Sequence, residues 1–133
     1  MRLLIVEDSP LIRKVTRLAF PAREHQLVEA EDGQMALTVL DGAAEPFDAI
    51  LLDLNMPRMN GCQFMRALQE RARHRHTPVV LATSERETSP LLIEAQSLNP
   101  AAVVKKPWHP QTLADLVRRI VDHRRSQGTA DPQ

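Results

Sequence analysis

The segment Ala49-Ile50-Leu51-Leu52-Asp53 runs four apolar residues into a single carboxylate, and a turn containing Asn55, Pro57, Asn60 and Gly61 follows. Such a run suits a fully buried strand, and carboxylates are almost never buried without a partner. Asp53 at the mouth of that strand therefore marks a cation site or a reaction. Other apolar runs end in matching chemistry: Glu7 and Asp8 follow Leu3–Val6, Thr83 follows Val79–Ala82, and Lys105 and Lys106 follow Ala102–Val104. The remaining run, Leu27–Ala30, offers only Glu31 and Asp32.

In one pocket, Glu7, Asp8 and Asp53 would repel one another unless a cation joined them. An acidic, oxygen-only and partly hydrated site suits Mg²⁺, which binds through one or two carboxylates and keeps several waters. No His or Cys stands among these groups, which argues against zinc. Acids on a metal, with a hydroxyl and an ammonium beside them, make a phosphoryl site. The cation neutralises incoming charge, Lys and Thr hold the equatorial oxygens, and one carboxylate oxygen acts as nucleophile to give an aspartyl phosphate.

The elements that must position these groups alternate five times between strand-like and helix-like patterns. Ser9-Pro10 forms an N-cap with Pro at the first helical position, and Leu11, Ile12, Val15, Leu18 and Ala19 recur at helical spacing. Leu27–Ala30 is a weaker strand, as at a sheet edge. Asp32-Gly33 opens a second helix with Ala36, Leu37 and Leu40 inward, ending near Gly42. The third helix is expected over Cys62–Ala72, with Phe64, Met65 and Leu68 inward, and the fourth over Pro90–Leu98. Pro110 opens a last helix with the cleanest amphipathic pattern, Leu113, Leu116, Val117, Ile120 and Val121. This alternation predicts an α/β fold: a doubly wound parallel sheet with helices on both faces and strand order 2-1-3-4-5. In such a sheet, ligands bind outside the carboxyl ends of the strands, where the reactive groups lie.

The chain has 133 residues, enough for one domain. Its 17 Lys and Arg balance 17 Asp and Glu, which gives no electrostatic case for nucleic acid or an anionic membrane. Cys62 is the single cysteine and fits a reducing compartment without disulfides. No apolar run is long enough for a membrane span and no signal-peptide pattern opens the chain, so a soluble cytoplasmic domain is expected. The domain is expected over residues 1–124, and residues 125–133 as a disordered tail.

Leu4-Ile5-Val6-Glu7-Asp8-Ser9, Asp53 through Gly61, Ala82-Thr83-Ser84 and Lys106-Pro107-Trp108 resemble, in order and spacing, the signatures of two-component response-regulator receiver domains. The resemblance covers roughly residues 2–124 and implies a flavodoxin-like (βα)5 fold. It makes Asp53 the phosphoacceptor, Asp8 a direct Mg²⁺ ligand, Glu7 a ligand through water, and Asn55 a ligand through its backbone carbonyl. Thr83 and a Lys would contact the phosphoryl group. The family Lys precedes a Pro, usually across a cis bond, which selects Lys106; an ungapped count from Thr83 selects Lys105. Lys106 is preferred, because Pro fixes local geometry while loops tolerate length change. Where the family often has an aromatic residue three before that Lys, this chain has Val103, and Leu98-Asn99-Pro100-Ala101 replaces the usual Gly-Ala.

The resemblance implies a single-domain regulator fed by a histidine kinase or phosphotransfer protein, read by a downstream protein target, and present as a monomer or weak dimer. The competing class is an Mg²⁺-dependent phosphatase or phosphotransferase acting on small molecules. It generally needs a second acid two residues after the nucleophile, where Asn55 stands, and a cap that this chain does not supply. A degenerate docking module is disfavoured by the presence of every acid, the Thr and a Lys. Two basic features remain: the run Arg71, Arg73, His74, Arg75 and His76, expected as a solvated extended connector, and Arg118, Arg119, Arg124 and Arg125 on the last helix. Trp108 is expected to pack beside the site.

Overall fold

The computed structural model of the protein describes residues 1–130. Strands and helices alternate strictly: β1 (Arg2–Val6), α1 (Pro10–Ala19), β2 (Gln26–Ala30), α2 (Gly33–Gly42), β3 (Ala49–Asp53), α3 (Gly61–Gln69), β4 (Val79–Thr83), α4 (Pro90–Ser97), β5 (Ala102–Lys105) and α5 (Pro110–Ala130). All pairings are parallel, in the order β2-β1-β3-β4-β5, as the sequence predicts.

Successive side chains on a strand point to opposite faces, so a strand buried on both faces must be apolar throughout. Leu4, Val6, Ile50, Leu52 and Leu81 enter one core, closed by Leu40 of α2, Phe64 and Leu68 of α3, and Leu92 of α4. Leu3, Ile5, Ala49, Leu51 and Val80 enter the other, closed by Ala19 of α1 and Leu113, Val117 and Val121 of α5. β2 and β5 flank the sheet and are only half-buried. Each of the first four helices opens on a side-chain cap: Ser9 accepts from the Ile12 amide, Asp32 from Met35, Asn60 from Gln63, and Ser89 from Leu92. Among the described residues no helix is long and apolar enough to cross a membrane.

Three expectations change. In α1, Thr16 and Ala19 are buried while Leu11 and Leu18 stand 67% and 69% exposed, so the spacing located the helix but not its inward face. The basic run is not extended, although Arg73, Arg75 and His76 are solvent-exposed as a connector's would be: α3 stops at Gln69, and residues 72–76 form turns around the carboxyl end of α2. There the buried His74 donates from Nε2 to the Leu40 carbonyl at 2.8 Å, Arg73 donates to the Ala43 carbonyl at 2.7 Å, and Arg71 pairs with Asp41 at 2.7 Å. Donors and cations thus meet the last carbonyls and the negative pole of a helix end. Finally, α5 continues to Ala130, so the expected tail is helical over 125–130; its remaining positions, 131–133, lie outside the described residues.

One close approach fixes the loop after β3. The Gly61 amide donates to the Leu54 carbonyl at 2.9 Å, and a Cβ at Gly61 would sit 3.0 Å from the Leu54 Cα and 3.2 Å from the Asp53 carbonyl oxygen. Both neighbours are backbone and give way poorly. Gly42, by contrast, has open space around the same position. Gly61→Ala is expected to destabilise the protein by about 1–3 kcal/mol, and Gly42→Ala to leave stability unchanged or raise it by up to about 1 kcal/mol. Urea titration of both variants checks this, and equal effects would contradict the packing argument.

Candidate functional site

Parallel order delivers the chemistry to one edge. β1 and β3 are neighbours, so Glu7 and Asp8, which follow β1, lie beside Asp53 at the end of β3. Carboxylate oxygens from Glu7, Asp8 and Asp53 all fall within 4.8 Å of one another. Glu7 and Asp53 are each only 4% exposed, whereas Asp8 opens to solvent. The Glu7 carboxylate accepts from the Ser9 amide at 3.2 Å, and its backbone carbonyl accepts from Arg13 at 2.7 Å. Asp53 Oδ1 accepts from the Asn55 amide at 3.3 Å.

Lys106 closes the cluster. Its Nζ donates to Glu7 Oε1 at 2.9 Å and to Asp53 Oδ1 at 3.1 Å. The Lys106–Pro107 bond is cis, and the Lys106 amide donates to the Thr83 carbonyl at 2.9 Å. Lys105 turns the other way, as successive strand residues do, and its ammonium meets the Glu85 carbonyl instead. Thr83 is fully buried at the end of β4, and its hydroxyl oxygen accepts from the Glu85 amide at 2.9 Å. Glu85 in turn accepts from the Ser89 hydroxyl at 3.0 Å.

The expected residues Glu7, Asp8, Asp53, Thr83 and Lys106 therefore stand at one edge, with Asn55 on the rim. Glu31 is exposed and Asp32 caps α2, so β2 adds nothing to the cluster. Asp32 also pairs with Arg58 at 2.9 Å, and Arg58 sits at φ 64 within the loop from Asp53 to α3. The Met35 amide and then Arg58 hold the Asp32 carboxyl below the usual carboxylate range. Trp108 packs against the α1/α5 core, with Ile12 and Thr16 around a small cavity beneath Asp53. Val103 lies opposite Leu81 and packs against the other core. Arg13 supports the site without a sequence signal, because it acts through helix facing, whereas Ser89, the N-cap before Pro90, carries the same Ser-Pro signal as Ser9-Pro10.

Burial, reinforced by the Glu7 charge, pushes the Asp53 carboxyl up to about 7 against the opposing pull of Lys106. Burial alone would lower the Lys106 ammonium, but Glu7 and Asp53 outweigh it and hold it above the ordinary Lys value. Oxygen donors and like charges in one pocket fit a hard divalent cation, with Glu7, Asp8 and Asp53 as the acids able to hold it.

Comparison with known proteins agrees with this geometry. The family model for the response regulator receiver domain matches residues 3–118. The chain belongs to that family. Over 92% of its length it is 32% identical to chemotaxis protein CheY of Pseudomonas aeruginosa, and covers 97% of that protein. It is also 32% identical to the response regulator protein FleR of the same organism, of which it covers 24%. Among solved structures, the chemotaxis response regulator CheY4 of Vibrio cholerae superposes with a TM-score of 0.78 at 31% identity, covering 90% of this chain and 97% of that one. This is a CheY-like receiver of two-component signalling, a signalling domain rather than a conventional enzyme.

A receiver site with a raised Asp53 has a consequence for stability. Between about pH 4 and 7 the folded protein holds a proton that the unfolded chain has released, so folding is favoured at the low end and stability falls as pH rises through that window. In EDTA, the melting temperature of the wild type relative to Asp53→Asn is expected to drop from pH 5 to pH 8. A difference that stays flat or rises would show that the Asp53 carboxyl is not raised in the folded protein.

Proposed function

We propose that Asp53 accepts a phosphoryl group from a histidine kinase or phosphotransfer protein, and that the modified domain is read by a downstream protein target. The observation that carries this is the Lys106 ammonium bridging Asp53 Oδ1 and Glu7 Oε1 in an oxygen-only acidic pocket, next to the buried hydroxyl of Thr83. The similarity to CheY along nearly all of that protein supports a protein as reader.

Asp8, Asp53 and the Asn55 carbonyl would hold Mg²⁺, with Glu7 acting through water. The bound cation supplies charge neutralisation for the incoming phosphoryl oxygens. An Asp53 carboxylate oxygen attacks phosphorus in line with the leaving group, forming an O–P bond as the donor's N–P bond breaks and the electron pair departs on the imidazole nitrogen. Lys106 is then placed to follow the new anionic oxygens. The Thr83 hydroxyl, whose oxygen already accepts from Glu85, has its proton to donate to one of them. Attack of water on phosphorus returns Asp53 to a carboxylate and resets the switch.

Beryllofluoride or acetyl phosphate with Mg²⁺ is expected to modify the wild type and leave Asp53→Asn unmodified; equal modification of that variant would refute the acceptor. Mg²⁺ alone should raise the melting temperature of the wild type, and no shift at millimolar metal would count against the cation site.

The two lysines separate cleanly. Lys106→Ala should lose the structural response to beryllofluoride, seen as amide shifts around Thr83, because its ammonium alone reaches Asp53. Lys105→Ala should keep that response, since its ammonium faces the Glu85 carbonyl. The opposite result would assign the phosphoryl contact to Lys105.

A further inference from the structure

Three sequence features without a part in the phosphoryl site meet at the other end of the sheet: the basic run after α3, the arginines of α5, and Leu98-Asn99-Pro100-Ala101. They border an open groove of about 750 Å³ beside Val79, where β4 begins. Thr83, at the end of the same strand, is four residues and thus about 13 Å away. The groove's floor is apolar, formed by Leu68, Val79, Leu98 and Ile120. Its rim carries Arg75, His76, Arg119, His123 and Arg124, and no Asp or Glu lines it among the described residues.

This charge is not used up internally. Arg13, Arg17, Arg58, Arg66 and Arg71 are all ion-paired, whereas Arg75, Arg119 and Arg124 have no carboxylate partner among the described residues. Among the described residues Arg124 meets the His76 carbonyl, an uncharged partner that ties α5 to the connector. In a chain with balanced charge, a concave apolar floor ringed by unpaired guanidinium groups is complementary to an acidic, partly apolar ligand. Guanidinium forks bind carboxylates bidentately. Arg119 and Arg124 lie five residues apart on α5, about 7.5 Å along the axis, a spread that suits carboxylates spaced along a chain better than one compact anion. A nucleic acid fits less well, since among the described residues no Phe, Tyr or Trp lines the groove for base stacking.

We propose that this groove binds an acidic peptide segment of a partner protein, with apolar side chains on Leu68, Val79, Leu98 and Ile120 and flanking carboxylates on Arg75, Arg119 and Arg124. The surface lies away from Asp53, so binding here stands independently of the phosphoryl chemistry.

The probe is a fluorescein-labelled peptide, Glu-Glu-Leu-Glu-Glu-Ile-Glu-Glu-Leu, titrated with the full chain and followed by anisotropy and amide-shift mapping. Saturable binding is expected, weakening with salt, with shifts centred on Leu68, Leu98 and Ile120. The double variant Arg75→Glu/Arg119→Glu should weaken it by roughly tenfold or more while still reacting with acetyl phosphate, which shows that the fold is intact. A peptide with Lys in place of Glu should not bind. The proposal is overturned by absence of saturable binding, by equal binding of the Lys peptide, by unchanged affinity in the double variant, or by shifts that map elsewhere. Full displacement by equimolar inorganic phosphate would overturn it in favour of a small-anion site.

Discussion

Two carboxylates that repel each other, Glu7 and Asp53, are held almost wholly buried with one ammonium between them. Much of the architecture follows from that constraint. Only a sheet in which β1 and β3 are adjacent brings the residues after the first strand against the end of the third. Only β5 beyond β4 lets Lys106 reach back across Thr83 to both acids. The apolar alternation that builds two separate cores keeps these strand ends rigid, so the electrostatic cost is borne by packing far from the charges. A buried ionic cluster is weak evidence for stability; here it is better understood as what the stable scaffold is there to hold.

The loops show the same division of labour. Side-chain caps start α1 to α4, all of which follow a parallel strand at the edge that carries the acids, so the backbone leaving β1 and β2 is pinned within a few residues. The loop after Asp53 is further fixed by Gly61 against Leu54 and by Arg58 on Asp32. The segment after Thr83 is tied differently: through the Thr83 hydroxyl to the Glu85 amide, through Glu85 to Ser89, and through the Glu85 carbonyl to Lys105. These are polar contacts that can be exchanged, not core contacts that must be broken.

What the sequence made legible was what short-range rules govern. The strand ends, the helix starts at Ser9, Asp32 and Pro90, and the Lys preceding Pro107 are local patterns, and they sufficed for strand order and for the residues that meet at the edge. The facing of α1 was not legible, because Leu11 and Leu18 fit the apolar period as well as the buried Ala19 does. The basic run failed for a different reason. The partners of Arg73 and His74 are carbonyls 30 and 34 positions away, and a bare carbonyl at a helix end has no residue type to announce it. The length of α5 past residue 124 was hidden too, since its apolar period fades there and helix propagation needs no such period.

The charge balance of the pocket indicates where a switch must act. With Glu7, Asp8 and Asp53 ionised and Lys106 protonated, the site carries two excess negative charges, which one divalent cation cancels. A cation bound there would have to displace the proton that burial favours on Asp53, which would link metal uptake to proton release. Converting that carboxylate to an acyl phosphate then adds negative charge that the metal no longer balances. On the proposed chemistry, the groups available to meet it are the Lys106 ammonium, already in place, and the Thr83 hydroxyl, which is held by Glu85. Drawing Thr83 inward would then pull on the Glu85–Ser89 segment and on the start of α4. Val103, short and stiff at χ1, offers no large side chain to swing into the space vacated. On that chemistry the displacement would travel through the backbone between β4 and α4, where the polar ties are the ones that can be remade.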